Sequence, residues 1–393
     1  GVDNFDLHKN MGHALLKIAL VEKNAKEKEN ALMQADREFN ATINQINDKN
    51  AEAFYLWGRV LEEWKSRPKS EIDSIEKFDK AIALEPDYFN AHMHKASVLN
   101  HRLSKPKEAI ASYEKASSIR PNDLNPLKAL DKIYREAKNY EKTVSVNTRI
   151  VAIEPKNFGA VYALGMDNHM YLNQQGLAVD WFTKALAIDP NHTEVEFYLG
   201  KALYLNGKKA ESIKPLLNAA VKKPSEKLVT YYLAKAYSDT DQNAKAIEML
   251  IKYNGLDSSN VETRIMLSKE YLNNPKTIDV AIKTAGEAVE LADKQKVLQG
   301  ASYDAHGWAL VAGNQSQKAL VLLERANKEQ VTNERQYHLA SAYVQLNMFA
   351  EAEVVIKKLE SIELDKKLAG EVKKLRADLE NRKKSDLELK QKA

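Results

Sequence analysis

Apolar and small residues follow a helical spacing through most of this chain, in consecutive segments that short polar turns separate. Residues 193–224 illustrate the pattern: Leu199 and Leu203 lie about one helical turn apart, and Leu216 and Ala219 are spaced for one face of a second helix. An Asn-Gly pair stands between the two segments, and both residue types tolerate the left-handed backbone that ends a helix. The segment therefore predicts two antiparallel helices joined by a short turn.

The helix pair repeats along the chain at a nearly fixed interval, which five prolines mark. Each proline follows the second apolar segment of a pair, where it cannot continue the helix. The five are Pro86, Pro121, Pro155, Pro190 and Pro224, at intervals of 34 or 35 residues. A fixed period in this range predicts stacked helix pairs rather than one closed core, and it directs the search for function toward an extended binding surface.

The residue types within each period resemble the tetratricopeptide repeat (TPR) family, whose pattern is W-x2-L-G-x2-Y…A-x3-F-x2-A-x4-P. Two consecutive copies in this chain read Leu164-Gly165…Ala178…Phe182…Ala185…Pro190 and Leu199-Gly200…Leu203…Ser212…Leu216…Ala219…Pro224. About ten copies, of which the first is degenerate, cover residues 5–362. The resemblance implies an all-α, right-handed α-solenoid of about ten helix pairs, with a concave groove lined by the first helix of each pair.

The pattern predicts three divisions of the chain. Residues 1–50 form a degenerate TPR-like helix pair, residues 51–362 form the TPR solenoid, and residues 363–393 form an amphipathic capping helix and charged tail. The apolar stripe of the last segment consists of Leu364, Leu368, Val372, Leu375 and Leu379. One stripe opposite a charged face suits a helix that covers the last repeat. A coiled-coil helix or a helix that docks on a partner is the alternative, and the run after Asn381 is expected to fray.

The composition fits an ordered, helix-rich chain and excludes several kinds of chemistry. Of 393 residues, 44% are apolar and 29% charged, and the net charge is only +4, so the field of the whole chain gives no argument for nucleic acid. Cysteine is absent, which excludes disulfides and cysteine-based zinc sites and favours an exported bacterial protein, periplasmic or otherwise, over a cytoplasmic one. No apolar run is long enough to cross a membrane, and the Gly-Val start is consistent with a leader, anchor or tag that has been removed.

No arrangement of residues points to catalysis, a metal or a cofactor. Asp239, Asp241 and Asn243 have the spacing of a calcium loop, but alanine and leucine follow where that loop needs glycine and a bidentate glutamate. Three histidines cluster within residues 92–101, yet a zinc site would require a further ligand. We interpret the first group as a polar turn and the histidines as surface or groove residues.

The resemblance implies that positions 2, 5, 9, 12 and 13 of each repeat face the groove. The candidate partner-binding residues at positions 5 and 9 are Tyr55, Arg59, Lys132, Tyr162, Met166, Phe197, Lys201, Tyr231, Lys235, Lys269, Trp308 and Tyr337. The lysines Lys201, Lys235 and Lys269 are spaced 34 residues apart, which predicts a ladder on one wall of the groove. Rigid rings with evenly spaced cations suit an extended acidic peptide or a C-terminal carboxylate. In the alternative interpretation, the rings pack within the repeats and glutamates at position 2 partly neutralise solvated lysines.

The sequence therefore predicts a non-catalytic scaffold that binds partner protein or peptide segments, acidic ones among them, along the groove. We expect no cofactor and no nucleic-acid partner. The habits of the family favour a bacterial assembly or export machinery as the setting. Two alternatives stay open: a regulatory subunit of an enzyme complex, and a solenoid that binds a polyanion or polysaccharide, whose affinity would fall steeply with salt.

Overall fold

The fold is all-α. The computed structural model describes residues 2–43 and 49–392, and these form 21 α-helices, one short 3-10 helix and no β-strand. The α-helices are α1 Val2–Val21, α2 Ala25–Ala41, α3 Ala51–Glu63, α4 Ser70–Leu84, α5 Phe89–His101, α6 Pro106–Ile119, α7 Leu124–Glu136, α8 Tyr140–Ile153, α9 Phe158–Met170, α10 Gln175–Ile188, α11 Thr193–Leu205, α12 Lys209–Lys222, α13 Lys227–Ser238, α14 Asn243–Leu256, α15 Val261–Tyr271, α16 Ile278–Gln295, α17 Gln299–Ala312, α18 Ser316–Glu329, α19 Asn333–Gln345, α20 Phe349–Glu360 and α21 Lys366–Lys392. The 3-10 helix Pro275–Thr277 immediately precedes α16.

The helices pack as consecutive pairs, which confirms the predicted TPR-like α-solenoid. Each of the five spaced prolines lies two residues beyond the end of the second helix of its pair. Pro86, Pro121, Pro155, Pro190 and Pro224 follow α4, α6, α8, α10 and α12 in this way. The prolines therefore mark the exit from each pair, as their inability to continue a helix requires.

Glycines on the first helices let the two helices of a pair approach closely. A Cβ atom on Gly165 would lie 2.6 Å from the Phe182 ring, and one on Gly200 would lie 2.6 Å from Cγ of Leu216. Phe182 and Leu216 are both fully buried. The small and large residues of the repeat pattern are thus two halves of one contact between helices.

The turn within a pair contains one residue with a positive φ angle in most repeats. Gly207 has φ +81°, which supports the prediction that the Asn-Gly pair ends α11. At the equivalent place other repeats use residues with side chains, which are Ser104, Lys138, Asn173, Asp241, Asn314 and Asn347. The turn geometry is therefore shared although its residue type is not.

The chain divides into two compact units, Gly1–Pro190 and Asn191–Ala393. The N-terminal unit contains α1–α10, and the C-terminal unit contains α11–α21. Each has its own buried apolar clusters, around Phe78 and Leu130 in the first unit and around Leu216 and Ile356 in the second. The divisions predicted after residues 50 and 362 stay predictions, and residues 44–48 near the first lie outside the described residues.

The last helix, α21, packs along α19 and α20 through the apolar stripe that the sequence shows. Within this stripe Leu368, Val372 and Leu379 are buried, against partners that include Ile356 and Leu359 of α20. The stripe therefore covers an apolar face of the last helix pair, the role expected of a capping helix.

The expectation that the chain frays after Asn381 is wrong, because α21 continues to Lys392. Ion pairs one turn apart support this part of the helix, at 3.1 Å between Arg382 and Asp378 and at 2.6 Å between Lys390 and Asp386. Among the described helices, none is long and apolar enough to cross a membrane.

Candidate functional site

Four of the predicted groove residues meet in the C-terminal unit, where α11 contacts α13. We name this group the aromatic–lysine site, and its members are Phe197, Lys201, Tyr204, Tyr231, Tyr232 and Lys235. The Tyr232 ring lies at its centre, with centroid distances of 6.3 Å to Phe197, 5.8 Å to Tyr204 and 5.3 Å to Tyr231. Edge-on contacts of this kind hold the rings in a fixed arrangement.

Lys201 is a half-buried cation within the aromatic–lysine site. Its ammonium nitrogen lies 5.4 Å from the centroid of the Tyr232 ring, within range of a cation–π contact. Burial lowers the pKa of Lys201, because the charged form has lost part of its hydration. Among the residues that the structure describes, no carboxylate forms an ion pair with Lys201.

Lys235 has the same position one repeat later, and its ammonium group already has a carboxylate partner. It donates a hydrogen bond of 3.2 Å to the Tyr231 hydroxyl and lies 3.5 Å from the Glu262 carboxylate. The Tyr231 hydroxyl donates in turn to Glu262 at 2.8 Å. Burial and this hydrogen bond raise the pKa of Tyr231. Glu262 is one of the glutamates at position 2, so the neutralisation expected in the alternative interpretation occurs here.

Tyr204 is fixed at the edge of the aromatic–lysine site by a carboxylate of the next repeat. Its hydroxyl donates a 2.7 Å hydrogen bond to Asp239, which also forms a 2.8 Å ion pair with Lys209. Burial, followed by the Asp239 contact, raises the pKa of the Tyr204 phenol. The ring is therefore held by its hydroxyl and offers its face to the lysines.

The predicted lysine ladder is uneven. Lys201 and Lys235 are half-buried against rings rather than solvated, whereas Lys269 is exposed on α15. The ring contacts formed by the described residues do not include Lys269. Equal spacing in the sequence thus gives equal places on successive helices but not equal environments.

Sequence reasoning missed Tyr204 and Tyr232, which complete the aromatic–lysine site. Tyr204 occupies position 12, one of the positions that the resemblance places in the groove, so that signal was present. Tyr232 stands at position 6, next to Tyr231, and only the contact between α11 and α13 brings it between Phe197 and Lys201.

A small pocket adjoins the aromatic–lysine site at Phe197. It measures about 190 Å³ and is bounded by side chains that include Tyr198, Leu228 and Val229. Leu228 is half exposed, at 50%. The pocket is therefore an accessible space of the size of one side chain next to Phe197, and its lining also includes Glu194, Lys223 and Glu226.

Two candidates of the N-terminal unit, Tyr55 and Arg59, are packed within their repeats. Tyr55 is only 9% exposed, and its ring lies 6.2 Å from Phe78 and 5.1 Å from Tyr88. Arg59 forms a 3.0 Å ion pair with Glu62 and a 3.2 Å contact with His94. This burial fits the alternative interpretation, in which rings at position 5 pack within the repeats.

Three further candidates of the N-terminal unit lie on α7 and α9. The Tyr162 ring is half-buried near Phe182, with 6.3 Å between centroids, and Met166 is also half-buried. Lys132 is exposed and lies 4.0 Å from Glu136 on its own helix. These residues do not form a group comparable with the aromatic–lysine site.

The last two candidates, Trp308 and Tyr337, lie together in the C-terminal unit at a separate cleft. Their ring centroids are 5.7 Å apart, and Trp308 stacks on His338 at 4.3 Å with an interplanar angle of 14°. His338 in turn contacts the buried Asp304 at 2.9 Å. The chemistry of this cleft differs from that of the aromatic–lysine site.

The sequence features considered for metal binding have other partners. The three histidines within residues 92–101 contact different groups: His92 the Pro86 carbonyl, His94 the Glu62 carboxylate and His101 a carbonyl on its own helix. Within residues 2–43 and 49–392, no three His, Asp or Glu side chains come together as a candidate metal site.

Comparison with known proteins identifies the repeat. The profile of the tetratricopeptide repeat matches residues 89–123, which contain the pair α5 and α6. The chain therefore contains a tetratricopeptide repeat in this region. The TPR fold is that of a protein-interaction scaffold with protein or peptide partners, and the family that matches is not a catalytic one.

Two curated relatives share part of the repeat array. Superkiller protein 3 of Schizosaccharomyces pombe is 23% identical over 233 residues, which are 57% of this chain and 16% of the relative. Superkiller protein 3 of Saccharomyces cerevisiae is 25% identical over 150 residues, which are 37% of this chain and 10% of the relative. The matched parts of this chain thus correspond to a sixth or less of the relatives' lengths.

Solved structures with similar folds include TPR proteins. YrrB, described as a TPR protein with an unusual peptide-binding site, is 22% identical and has a TM-score of 0.39, with 47% of this chain and 94% of YrrB covered. The P58(IPK) TPR domain is 13% identical with a TM-score of 0.37, covering 96% of this chain and 99% of that domain. The structure of Naa15/Naa10 bound to HypK-THB gives 12% identity and a TM-score of 0.47, covering 93% of this chain and 66% of the chain in that structure.

Proposed function

We propose that this protein is a non-catalytic scaffold that binds an acidic segment of a partner protein at the aromatic–lysine site. The observation that carries the proposal is Lys201, a half-buried ammonium group without a carboxylate partner among the described residues. The lysine at the equivalent position of the next repeat, Lys235, has such a partner in Glu262. A carboxylate supplied from outside would give Lys201 the partner that Glu262 gives Lys235.

The environment of Lys201 makes such a contact favourable. The ammonium group has already lost part of its hydration, so an incoming carboxylate pairs with it at a smaller further desolvation cost. We estimate that the pair contributes about 1–2 kcal/mol, more than the median for fully exposed pairs and less than for fully buried ones.

The rings around Lys201 supply the apolar part of the contact. Phe197 and Tyr232 lie beside the lysine, and the pocket of about 190 Å³ at Phe197 has room for one apolar side chain of the partner. Rigid aromatic anchors of this kind contribute much of the binding energy in protein interfaces. The preferred segment therefore combines an acidic residue with a neighbouring apolar one.

The wider setting rests on the sequence argument. A bacterial assembly or export machinery is the setting that we propose from the family's habits, although the two matching curated relatives come from yeasts. The aromatic–lysine site favours a short protein segment over a polyanion, because Lys235 is already paired with Glu262 and Lys201 alone offers no row of cations to a polymer of repeated negative charge.

A labelled acidic peptide tests the proposal. The probe is the fluorescein-labelled pentapeptide Glu-Phe-Glu-Leu-Glu, compared with its Gln-Phe-Gln-Leu-Gln counterpart, and fluorescence anisotropy reports binding to the full chain. We expect only the acidic probe to bind, and K201Q to weaken it about tenfold, the equivalent of 1.4 kcal/mol. The matched control is K214Q, which removes an exposed lysine from α12, the second helix of the same pair.

Three outcomes would contradict the proposal. Equal affinity for the two probes would show that charge does not select the ligand. Equal weakening by K201Q and K214Q would show that only overall charge matters. A steep loss of affinity with salt, matched by strong competition from heparin, would favour the polyanion alternative.

A further inference from the structure

The cleft at Trp308 lies between three helices of the C-terminal unit, α17, α19 and α21. Its volume is about 450 Å³, which is within the range of small-ligand pockets. Its lining includes Trp308, Glu334, Tyr337, His338, Lys367 and Glu371. Two of these residues come from α21, so the cleft exists only because the last helix packs beside α19.

One wall of the cleft is aromatic and rigid. The indole of Trp308 and the imidazole of His338 stack at 4.3 Å, and Tyr337 stands at 55° to the indole. His338 is fixed from behind by a 2.9 Å contact between its Nδ1 and the carboxylate of Asp304, and both side chains are buried. The ring faces therefore cannot move aside easily, and they offer negative π-faces to a ligand.

The charges in the cleft are mostly negative. Glu334, Asp365 and Glu371 contribute three carboxylates, against one ammonium group from Lys367. Asp365 is occupied, because it accepts the backbone N–H groups of Lys367 and Leu368 at 3.0 Å and so caps α21. Glu334 and Glu371 form no hydrogen bond or ion pair with any residue that the structure describes. Burial, followed by the nearby Glu371 charge, raises the pKa of Tyr337.

Two helix N-termini also face this region, and they would by themselves favour an anion. Both are already capped. Thr332 accepts the Arg335 N–H at the start of α19, and Asp365 caps α21. With these caps in place, the charged side chains of the cleft that lack a partner among the described residues are Glu334, Glu371 and Lys367. Two carboxylates against one ammonium group, beside the ring faces, favour a cation.

We infer that this cleft binds the cationic side chain of a partner protein, with arginine as the preferred residue. A guanidinium group can stack on an aromatic face while it donates hydrogen bonds to carboxylates on either side. Trp308 and Tyr337 provide the faces, and Glu334 and Glu371 provide the acceptors. The inference concerns a site of opposite charge preference to the aromatic–lysine site and does not depend on that proposal.

The test uses Trp308 as its reporter. The full chain has four tryptophans, and Trp308 is the only one within residues 191–393. Labelling with 5-fluorotryptophan gives four 19F NMR signals, and W308F assigns the one from the cleft. The probes are N-acetyl-Gly-Arg-Gly-amide and the same peptide with Gln or Glu in place of Arg.

We expect a saturable shift of the Trp308 signal with the Arg peptide and no saturable shift with the Gln or Glu peptides. The variant E334Q/E371Q should weaken the Arg peptide about tenfold, as the loss of two charged acceptors implies. The matched control E287Q/E290Q removes two exposed carboxylates from α16 of the same unit and should leave the affinity unchanged.

Each of the following results would overturn the inference. The Trp308 signal responds to the Glu peptide instead, it stays unchanged throughout the Arg titration, or E334Q/E371Q and E287Q/E290Q weaken binding equally. The neutral substitutions keep side-chain shape. Unchanged helix content by circular dichroism and an unchanged peptide-free Trp308 signal, which reports on the C-terminal unit, establish that the variants are folded there. A null Arg titration in a folded chain therefore counts against the site itself.

Discussion

A buried carboxylate in the N-terminal unit ties three helices together, and its two partners should respond unequally to mutation. Asp167 on α9 is fully buried. It accepts hydrogen bonds from Arg135 of α7 at 2.8 and 3.0 Å and from Thr143 of α8 at 2.7 Å. The contact therefore joins one helix pair to the next, which is where nearest-neighbour stability in a repeat protein arises.

The magnitudes follow from what each substitution leaves behind. In D167N the amide still accepts one bond from Arg135, whose side chain is 38% exposed and also lies 3.3 Å from Asp131. No charge is stranded, so we expect a loss of about 2 kcal/mol from weaker hydrogen bonds. In R135M the carboxylate of Asp167 stays buried with Thr143 as its remaining partner. Stranding a buried charge costs about 3–5 kcal/mol.

The assay is native-state hydrogen exchange on the full chain, because long repeat arrays need not unfold in one step. The free energies of opening for amides of α7–α9 should fall in both variants, and further in R135M. Amides of α11–α20 serve as the internal control and should not change.

Two results would refute this reasoning. If D167N costs as much as R135M, the penalty does not arise from a stranded buried charge. If both variants lower protection uniformly along the chain, the contact does not act as a local link between neighbouring pairs. Circular dichroism checks that the variants keep their helix content.

Three further predictions concern the C-terminal unit. Gly200→Ala should lower the free energy of unfolding of this unit in urea by about 1–3 kcal/mol, because the new Cβ would lie 2.6 Å from Leu216. L216A should lower that free energy less in the G200A background than in the unsubstituted chain. Hydrogen bonds from Lys383 and Arg376 lower the pKa of Glu353 to about 2, so the contribution of Glu353 to the attachment of α21 should be fully present above about pH 4.5 and lost progressively as the pH falls toward 2. Amide exchange in α21 should show this pH dependence, and E353Q should remove it. Deleting residues 364–393 should expose the apolar face of α20. Protection of amides from hydrogen exchange should be lost first in α19 and α20 and kept in α11. Unchanged amide exchange and unchanged light scattering would contradict a capping role.

The aromatic–lysine site shows which parts of the candidate site the sequence predicts. The repeat register placed Phe197, Lys201, Tyr231 and Lys235 on successive first helices, and the structure brings all four together. The register could not assign their surroundings, because Tyr232 is outside the expected inward positions. It also could not tell which lysine has a carboxylate partner, since Glu262 stands one repeat beyond Lys235.

Less of the cleft at Trp308 than of the aromatic–lysine site could be predicted from the sequence. Trp308 and Tyr337 are inward positions of neighbouring repeats, but Glu371 belongs to α21, whose stripe indicates only that it packs somewhere. The continuation of α21 to Lys392 was likewise not expected, because its last turns have few apolar residues and rely on ion pairs along the helix. Such features depend on where a helix docks and not on its period.

By itself, the sequence determined the helix pairs, their period and the prolines that follow them. Each of these depends on residues within one repeat, where spacing along the chain fixes spacing in the helix. Tertiary structure alone decided which charges are paired. Lys201 and Lys235 occupy the same position of the repeat, yet only the packing of α11, α13 and α15 places Glu262 beside one and leaves the other half-buried without a carboxylate among the described residues. The physical reason is that burial and pairing depend on side chains contributed by neighbouring repeats, and these vary while the repeat pattern is kept.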